Sequence, residues 1–262
     1  MAETAEPPIR RSTDRGIATL TLDSPDNRNA LSARLRADLA EGLADAMADD
    51  DVRAVVLTAT GPAFCAGADL KEVAAQRAGH TPEPADAPAM ADLFSAIMEA
   101  PKPVVALLNG PARAGGIGLV AAADIAIAPE EATFAFTEVR IGLVPAIISV
   151  PVMARMHDRQ LSRYFLTGET FDAATAAAAG LLTCAVPAEE VAVVGDRILD
   201  GLRGAAPRAL ARTKALLDEP GAAARPAAFA EMAALSAEFF ASDDAAEGRA
   251  AFFEKRAPRW AR

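Results

Sequence analysis

Histidine and cysteine are scarce in this chain, two of each in 262 residues. His80 sits in a Pro-rich loop and His157 stands beside Asp158 at a predicted helix start. They form no ligand cluster, which argues against a His-based zinc site or a Ser-His-Asp triad, and no metal site is read. Cys65 and Cys184 are far apart and make no CxxC pair. They read as buried small hydrophobes in a reducing compartment. Long apolar runs are missing too. The opening "MAETAEPPIRRST" has no signal-peptide core, and the longest apolar stretches are cut by Asp124, Gly180 or Pro187. That is well short of the roughly 20 residues a membrane span needs, so no membrane partner and a cytoplasmic location are expected.

Positive charge is also in short supply. Lys and Arg number 26 against 36 Asp and Glu, for a net charge of −10. A nucleic-acid partner would need a basic patch and is not expected. An anionic small molecule stays open, because a few local Lys or Arg residues can bind one. With histidine chemistry set aside, carboxylates and backbone groups are the remaining candidates for catalysis.

The composition, 52% hydrophobic and 24% charged, is that of a soluble globular chain with a sizeable core, and the strand and helix patterns that follow make that core α/β. Short β-rich runs are predicted at 16–22, 53–59, 102–110, 124–128 and 181–187. Ser32 is placed to cap a helix whose Leu35, Leu39 and Leu43 keep helical spacing. Residues 74–90 read as a Pro/Ala-rich loop and a lid. Beyond about residue 188, alanine-rich helical patterns take over, broken at Gly204–Pro207 and Pro220–Pro226. The organisation expected is a disordered or extended N-terminus over 1–14, a core over 15–195 that holds the site, and a helical region over 196–262.

Two segments echo each other. "VVLTATGPAFCAGADL" (55–70) and "VVALLNGPARAGGIGL" (104–119) align without a gap at an offset of 49. Both run from strand through Gly-Pro-Ala and a small-residue loop to a helix start, which suggests stacked units whose loops converge on one ligand. Gly116, Gly118 and Ala121 fit G-x-G-x-x-A, but seven residues separate Asn109 from Gly116, too many for a dinucleotide turn. No Gly-Lys-Ser/Thr occurs, so a P-loop is excluded. Close packing of helix on sheet explains one such loop. Two in equivalent positions suit a pair of backbone N–H donors aimed at one oxygen, an oxyanion hole.

"FCAGADLKE" (64–72), "NGPARAGGIGL" (109–119), "AFTEVRIGLVP" (135–145) and "FFEKRAPRW" (252–260) resemble the crotonase, or enoyl-CoA hydratase/isomerase, superfamily. The resemblance runs from about residue 15 to the C-terminus and is nearest to a bacterial branch that includes 3-methylglutaconyl-CoA hydratase-like proteins. It implies a spiral of ββα repeats, a C-terminal helical trimerisation region, and assembly as a homotrimer or dimer of trimers. It also implies an acyl-CoA thioester substrate, with CoA part of the substrate and no separate cofactor. Carried over by motif, the oxyanion donors are the N–H groups of Ala68 and Gly115, and Asp69 reads as a helix cap rather than a reacting group.

The two-carboxylate hydratases of that superfamily carry a glutamate three residues after the second oxyanion glycine and another further on. Here the first position is Gly118, so that carboxylate is missing, while the second is retained as Glu138. Hydration of a 2-enoyl-CoA with Glu138 as sole acid–base is the leading expectation. Δ3,Δ2-enoyl-CoA isomerisation is the alternative, and a non-catalytic acyl-CoA-binding or oligomerisation protein is the third. Contacts to the substrate are expected at Arg28, Ala66, Lys71, Gly118, Phe252 and Lys255, the last two in an element that closes the CoA pocket, from the same or a neighbouring subunit. Arg113 stands where many relatives carry an aliphatic residue and is a candidate partner for a distal acyl carboxylate.

Overall fold

The computed structural model describes residues 7–82 and 84–261. Strands β1 (Ile9–Asp14), β2 (Ile17–Leu22), β3 (Ala54–Ala59) and β4 (Val104–Leu107) lead into β5 (Ala112–Arg113), β6 (Ile125–Pro129), β7 (Thr133–Ala135), β8 (Phe171–Asp172) and β9 (Cys184–Val186). Among the described residues one sheet has the order β1-β2-β3-β4-β6-β9, with only the β1–β2 pair antiparallel, and β5-β7-β8 form a second. The helices are α1 (Ala33–Ala48), α2 (Leu70–Arg77), α3 (Met90–Glu99), α4 (Gly115–Ala122), α5 (Ala146–Met153) and α6 (Asp158–Thr167). They continue as α7 (Ala173–Ala178), α8 (Val191–Arg203), α9 (Pro207–Ala222), α10 (Arg225–Ala241) and α11 (Asp243–Glu254).

Parallel strands bury both faces, and the period of two in β3 shows how. Val55 and Leu57 join the main core with Leu35 and Leu39 of α1 and Leu93, Phe94 and Ile97 of α3. Ala54 and Val56 turn the other way, onto a smaller cluster with Leu199 of α8. Ser32 caps α1 as its position predicts, its Oγ accepting the N–H of Leu35.

The internal echo is a spatial one. β3 and β4 lie side by side with Val55 opposite Val104 and Leu57 opposite Ala106, the same offset of 49 that relates the two segments in sequence. Their loops therefore leave the sheet at one end and meet.

Three expectations shift. Residues 9–14 of the N-terminal stretch are a paired strand, while 1–6 lie outside the described residues. The loop predicted over 74–90 narrows to the connection between α2 and α3, because Asp69 caps a helix that runs to Arg77. The expected boundary at 195 falls inside α8, whose Leu199 belongs to the sheet's second face, so the alanine-rich composition begins one helix before the chain leaves the sheet. The break forecast at Pro220–Pro226 sits at residues 223–224. Pro226 falls in the first turn of α10, where its missing N–H is no loss. Among the described residues no helix is long and apolar enough to cross a membrane.

Candidate active site

The loop after β3 and the start of α4 come together at Gly67. Its φ of 89° suits glycine, and a Cβ there would lie 2.9 Å from the Arg113 carbonyl oxygen and 3.1 Å from the Gly115 nitrogen. No side chain fits between the two loops. Each then leaves one N–H unspent. Leu31 donates its N–H to the Gly67 carbonyl, and the single bridge pairing Leu31 with Ala68 leaves the Ala68 N–H without a partner among the described residues. Gly115 is the first residue of α4, where an N–H has no acceptor within the helix. Ala114 sets that start. Its φ of 46° and ψ of −120° turn the chain sharply out of β5, a conformation that costs a non-glycine residue about 1–3 kcal/mol and is held by its N–H bond to the Ala135 carbonyl.

Glu138 opens a 3-10 turn, Glu138–Ile141, between β7 and α5. Its carbonyl accepts the N–H groups of Gly142 and Leu143, which fixes the turn. Its carboxyl oxygen Oε2 is shut off from solvent and has no hydrogen-bond partner among the described residues. Burial pushes the carboxyl up to about 7, opposed only in part by its own backbone N–H. Glu138, Ala68 and Gly115 all line one cavity of about 280 Å³. Asp69 and Glu72 line it too, but they are engaged. Asp69 Oδ1 accepts the N–H groups of Lys71 and Glu72 at 3.0 and 3.2 Å, capping α2 as expected, and Glu72 Oε2 accepts the Ala33 N–H at 2.8 Å. Glu138 is the uncommitted carboxyl of the cavity.

The structure brings Ala66 to the same lining, its N–H held by the carbonyl of Arg28. It does not bring the other expected contacts there. The Arg28 and Lys71 side chains are exposed, and Phe252 and Lys255 stand exposed at the end of α11, Phe252 edge-on to Phe253. Gly118 is buried inside α4. Arg113 lies outside the lining, because its guanidinium donates to the carbonyl and Oγ1 of Thr133 and to the Ala112 carbonyl. Those bonds tie β5 to β7 and leave the guanidinium no reach into the cavity. Arg113→Leu is therefore expected to leave the ratio of kcat/KM for carboxylated and simple enoyl-CoAs unchanged. It lowers stability by about 1–3 kcal/mol, read in a urea melt, as Thr133 loses its donors.

Sequence reading missed the rest of the wall. Ile141 to Ile148 give it an apolar face, Met90 Cε stands beside Gly115, and Ser236 and Phe240 close it from α10. The run "IGLVPAIIS", which starts three residues after Glu138, carries a signal for the first of these; nothing local marks Ser236 or Phe240, about a hundred positions on, and only tertiary packing brings them in.

The family model for enoyl-CoA hydratase/isomerase matches residues 12–262. The chain belongs to the enoyl-CoA hydratase/isomerase family. Its fold is that of crotonase-type relatives with solved structures. An enoyl-CoA hydratase from Mycobacterium avium is 42% identical, with a TM-score of 0.84 over 97% of this chain and 99% of that one. An enoyl-CoA hydratase/isomerase from Pseudoalteromonas atlantica is 30% identical, with a TM-score of 0.88 over 97% of this chain and 100% of that one. A mitochondrial enoyl-CoA hydratase domain-containing protein 3 from Danio rerio is 29% identical over 249 residues, 94% of this chain and 84% of its own length. As a family member, the chain is of the hydratase/isomerase class, for which an acyl-CoA is the implied substrate.

Proposed function

We propose that this family member adds water across the C2–C3 double bond of a 2-enoyl-CoA thioester, with Glu138 as its single acid–base. The observation that carries the reading is the unpartnered, buried Oε2 of Glu138 in the same cavity as the unspent N–H groups of Ala68 and Gly115. The thioester oxygen takes both N–H groups, which draws electron density from C3. Water attacks C3 as the Glu138 carboxylate accepts its proton. The electron pair of the double bond moves onto the thioester as an enolate, whose oxygen the two donors stabilise, each worth about 10²–10³-fold in rate. The Glu138 carboxylic acid then delivers a proton to C2 and the thioester carbonyl re-forms. A carboxyl near 7 has both protonation states populated at neutral pH, as one group serving as base and acid requires.

One observation favours a second reading, Δ3,Δ2-enoyl-CoA isomerisation. With Asp69 and Glu72 engaged, the cavity offers one working carboxyl, and one suffices to take a proton from C2 and return it to C4 without water. A purely binding role gives no reason for a buried carboxyl without a partner, which only lowers stability. On this reading copies of the chain associate through the C-terminal helices as a homotrimer or dimer of trimers. Exposed Leu216, Leu217, Phe252 and Phe253 support that assembly, and they leave Phe252 and Lys255 available to a neighbouring subunit's site.

The test follows the conjugated enoyl-thioester absorbance. With trans-2-enoyl-CoAs the signal is expected to fall. A rise with 3-enoyl-CoAs and no fall with 2-enoyl-CoAs would replace hydration by isomerisation, and no change with either would remove both.

A further inference from the structure

One turn along α4 from Gly115, which lines the cavity, Gly118 carries no side chain and is buried behind Ile148 of the wall. A Cβ built on Gly118 would stand 2.4 and 2.8 Å from Cζ and Cε2 of Phe94 and 3.1 Å from Cγ2 of Ile148. Ile148 is part of the cavity lining, so the Cβ direction at Gly118 runs toward that wall. Phe94 is wholly buried in α3 and packed among core side chains, so its ring cannot swing aside as the end of a flexible chain could. The space that a side chain at position 118 would take is ring.

We propose that Phe94 is a specificity-determining residue of this site: wedged against Gly118, it keeps any proton-carrying or water-binding side chain out of position 118 and, with Asp69 and Glu72 engaged, leaves proton transfer to Glu138. The proposal rests on the reading of Glu138 as the acid–base. The Phe94 ring and the Ile148 methyl groups hold the place a side chain at 118 would take and offer water no acceptor there, so on this side of the cavity Glu138 is the group for proton transfer. Widening the chemistry then takes a paired change, at position 94 to vacate the space and at 118 to fill it. Gly118→Glu alone meets the ring.

Two measurements test this, and the first needs no turnover. Gly118→Ala is expected to lower Tm by about 3–10 °C, the effect of a methyl forced into a filled core. In Phe94→Leu/Gly118→Ala the combined loss should be smaller than the sum of the two single losses, because the leucine gives back the space. Losses that simply add, or a Gly118→Ala chain as stable as wild type, overturn the wedge. The second compares Phe94→Ala with Phe94→Ala/Gly118→Glu for hydration of a 2-enoyl-CoA. The double variant should be about tenfold faster or more and gain a second ionisation in its pH–rate profile. A rate and profile no different from those of Phe94→Ala overturn the proposal. Should wild type turn over neither 2- nor 3-enoyl-CoA, the reading of Glu138 falls, and the Tm cycle alone decides the wedge.

Discussion

Glu138→Gln is expected to lower kcat with a 2-enoyl-CoA by about 10²–10⁴-fold while making the fold more stable above neutral pH. The two effects have one origin. The carboxyl is buried with its Oε2 unpartnered among the described residues, and burial raises its pKa to about 7 against an ordinary 4.5. A carboxyl raised in this way favours the folded chain when protonated. Its contribution is fully present below about pH 4.5 and is lost as pH rises through about 7, where the buried carboxylate costs about 3 kcal/mol. Glutamine keeps the shape and carries no charge, so it escapes that loss but can neither take nor give a proton. Urea melts of the two proteins should converge near pH 4.5 and separate by pH 8, with glutamine the more stable. Turnover close to that of wild type in Glu138→Gln, or melts that stay together across the range, would remove Glu138 from the mechanism.

Gly248→Ala should damage the site from outside the cavity. The turn that carries Glu138 docks backbone to backbone on α11. A Cβ on Gly248 would fall 2.3 Å from the carbonyl carbon and oxygen of Ile141 and 2.6 Å from its Cα. A Cβ on Gly142 would fall 2.4 Å from the carbonyl of Asp244. No rotamer relieves a clash with main chain, so α11 and the turn must part. Overpacking of this kind lowers Tm by about 3–10 °C. A shift of about 1 Å in the acid–base is enough to lower kcat about 10²-fold. Gly201→Ala is the control: nothing lies within 4 Å of its Cβ, and in the interior of α8 it should raise stability by about 0.4–1 kcal/mol. Full activity in Gly248→Ala at wild-type Tm would show that the turn does not depend on α11.

Much of this was legible in the residues themselves. Ser32, Leu35, Leu39 and Leu43 announce α1 because capping and helical spacing are local properties. The echo at an offset of 49 announces the pairing of β3 with β4, because repeated units stack in register. "CAGAD" and "ARAGG" mark the two loops, and Glu138 stands where the family pattern puts an acid. Other features had no local mark. Phe94 reads as an ordinary core residue of α3 until the ring is seen on Gly118. Ser236 and Phe240 reach the cavity only because α10 folds back on α5. Arg113 misleads for the opposite reason: its place between the motif's alanines and glycines suggests a ligand, while Thr133, which occupies it, is twenty residues away in sequence and adjacent across the second sheet.

Strand order has a consequence for how the molecule comes into being. β1, β2, β3, β4, β6 and β9 stand in the sheet in the order in which the chain is synthesised, each added beside its predecessor. A growing chain can therefore extend one edge without reopening finished pairs, which limits exposure of sticky intermediates. The loops that carry Ala68 and Gly115 are both made once α4 is made. Ser236, Phe240 and Gly248 come from the last two helices, so the cavity wall and the support for the Glu138 turn arrive late. On the proposed mechanism, a nascent chain would carry the N–H donors of Ala68 and Gly115 before the helices that hold the Glu138 turn exist, so its acid–base would be set last.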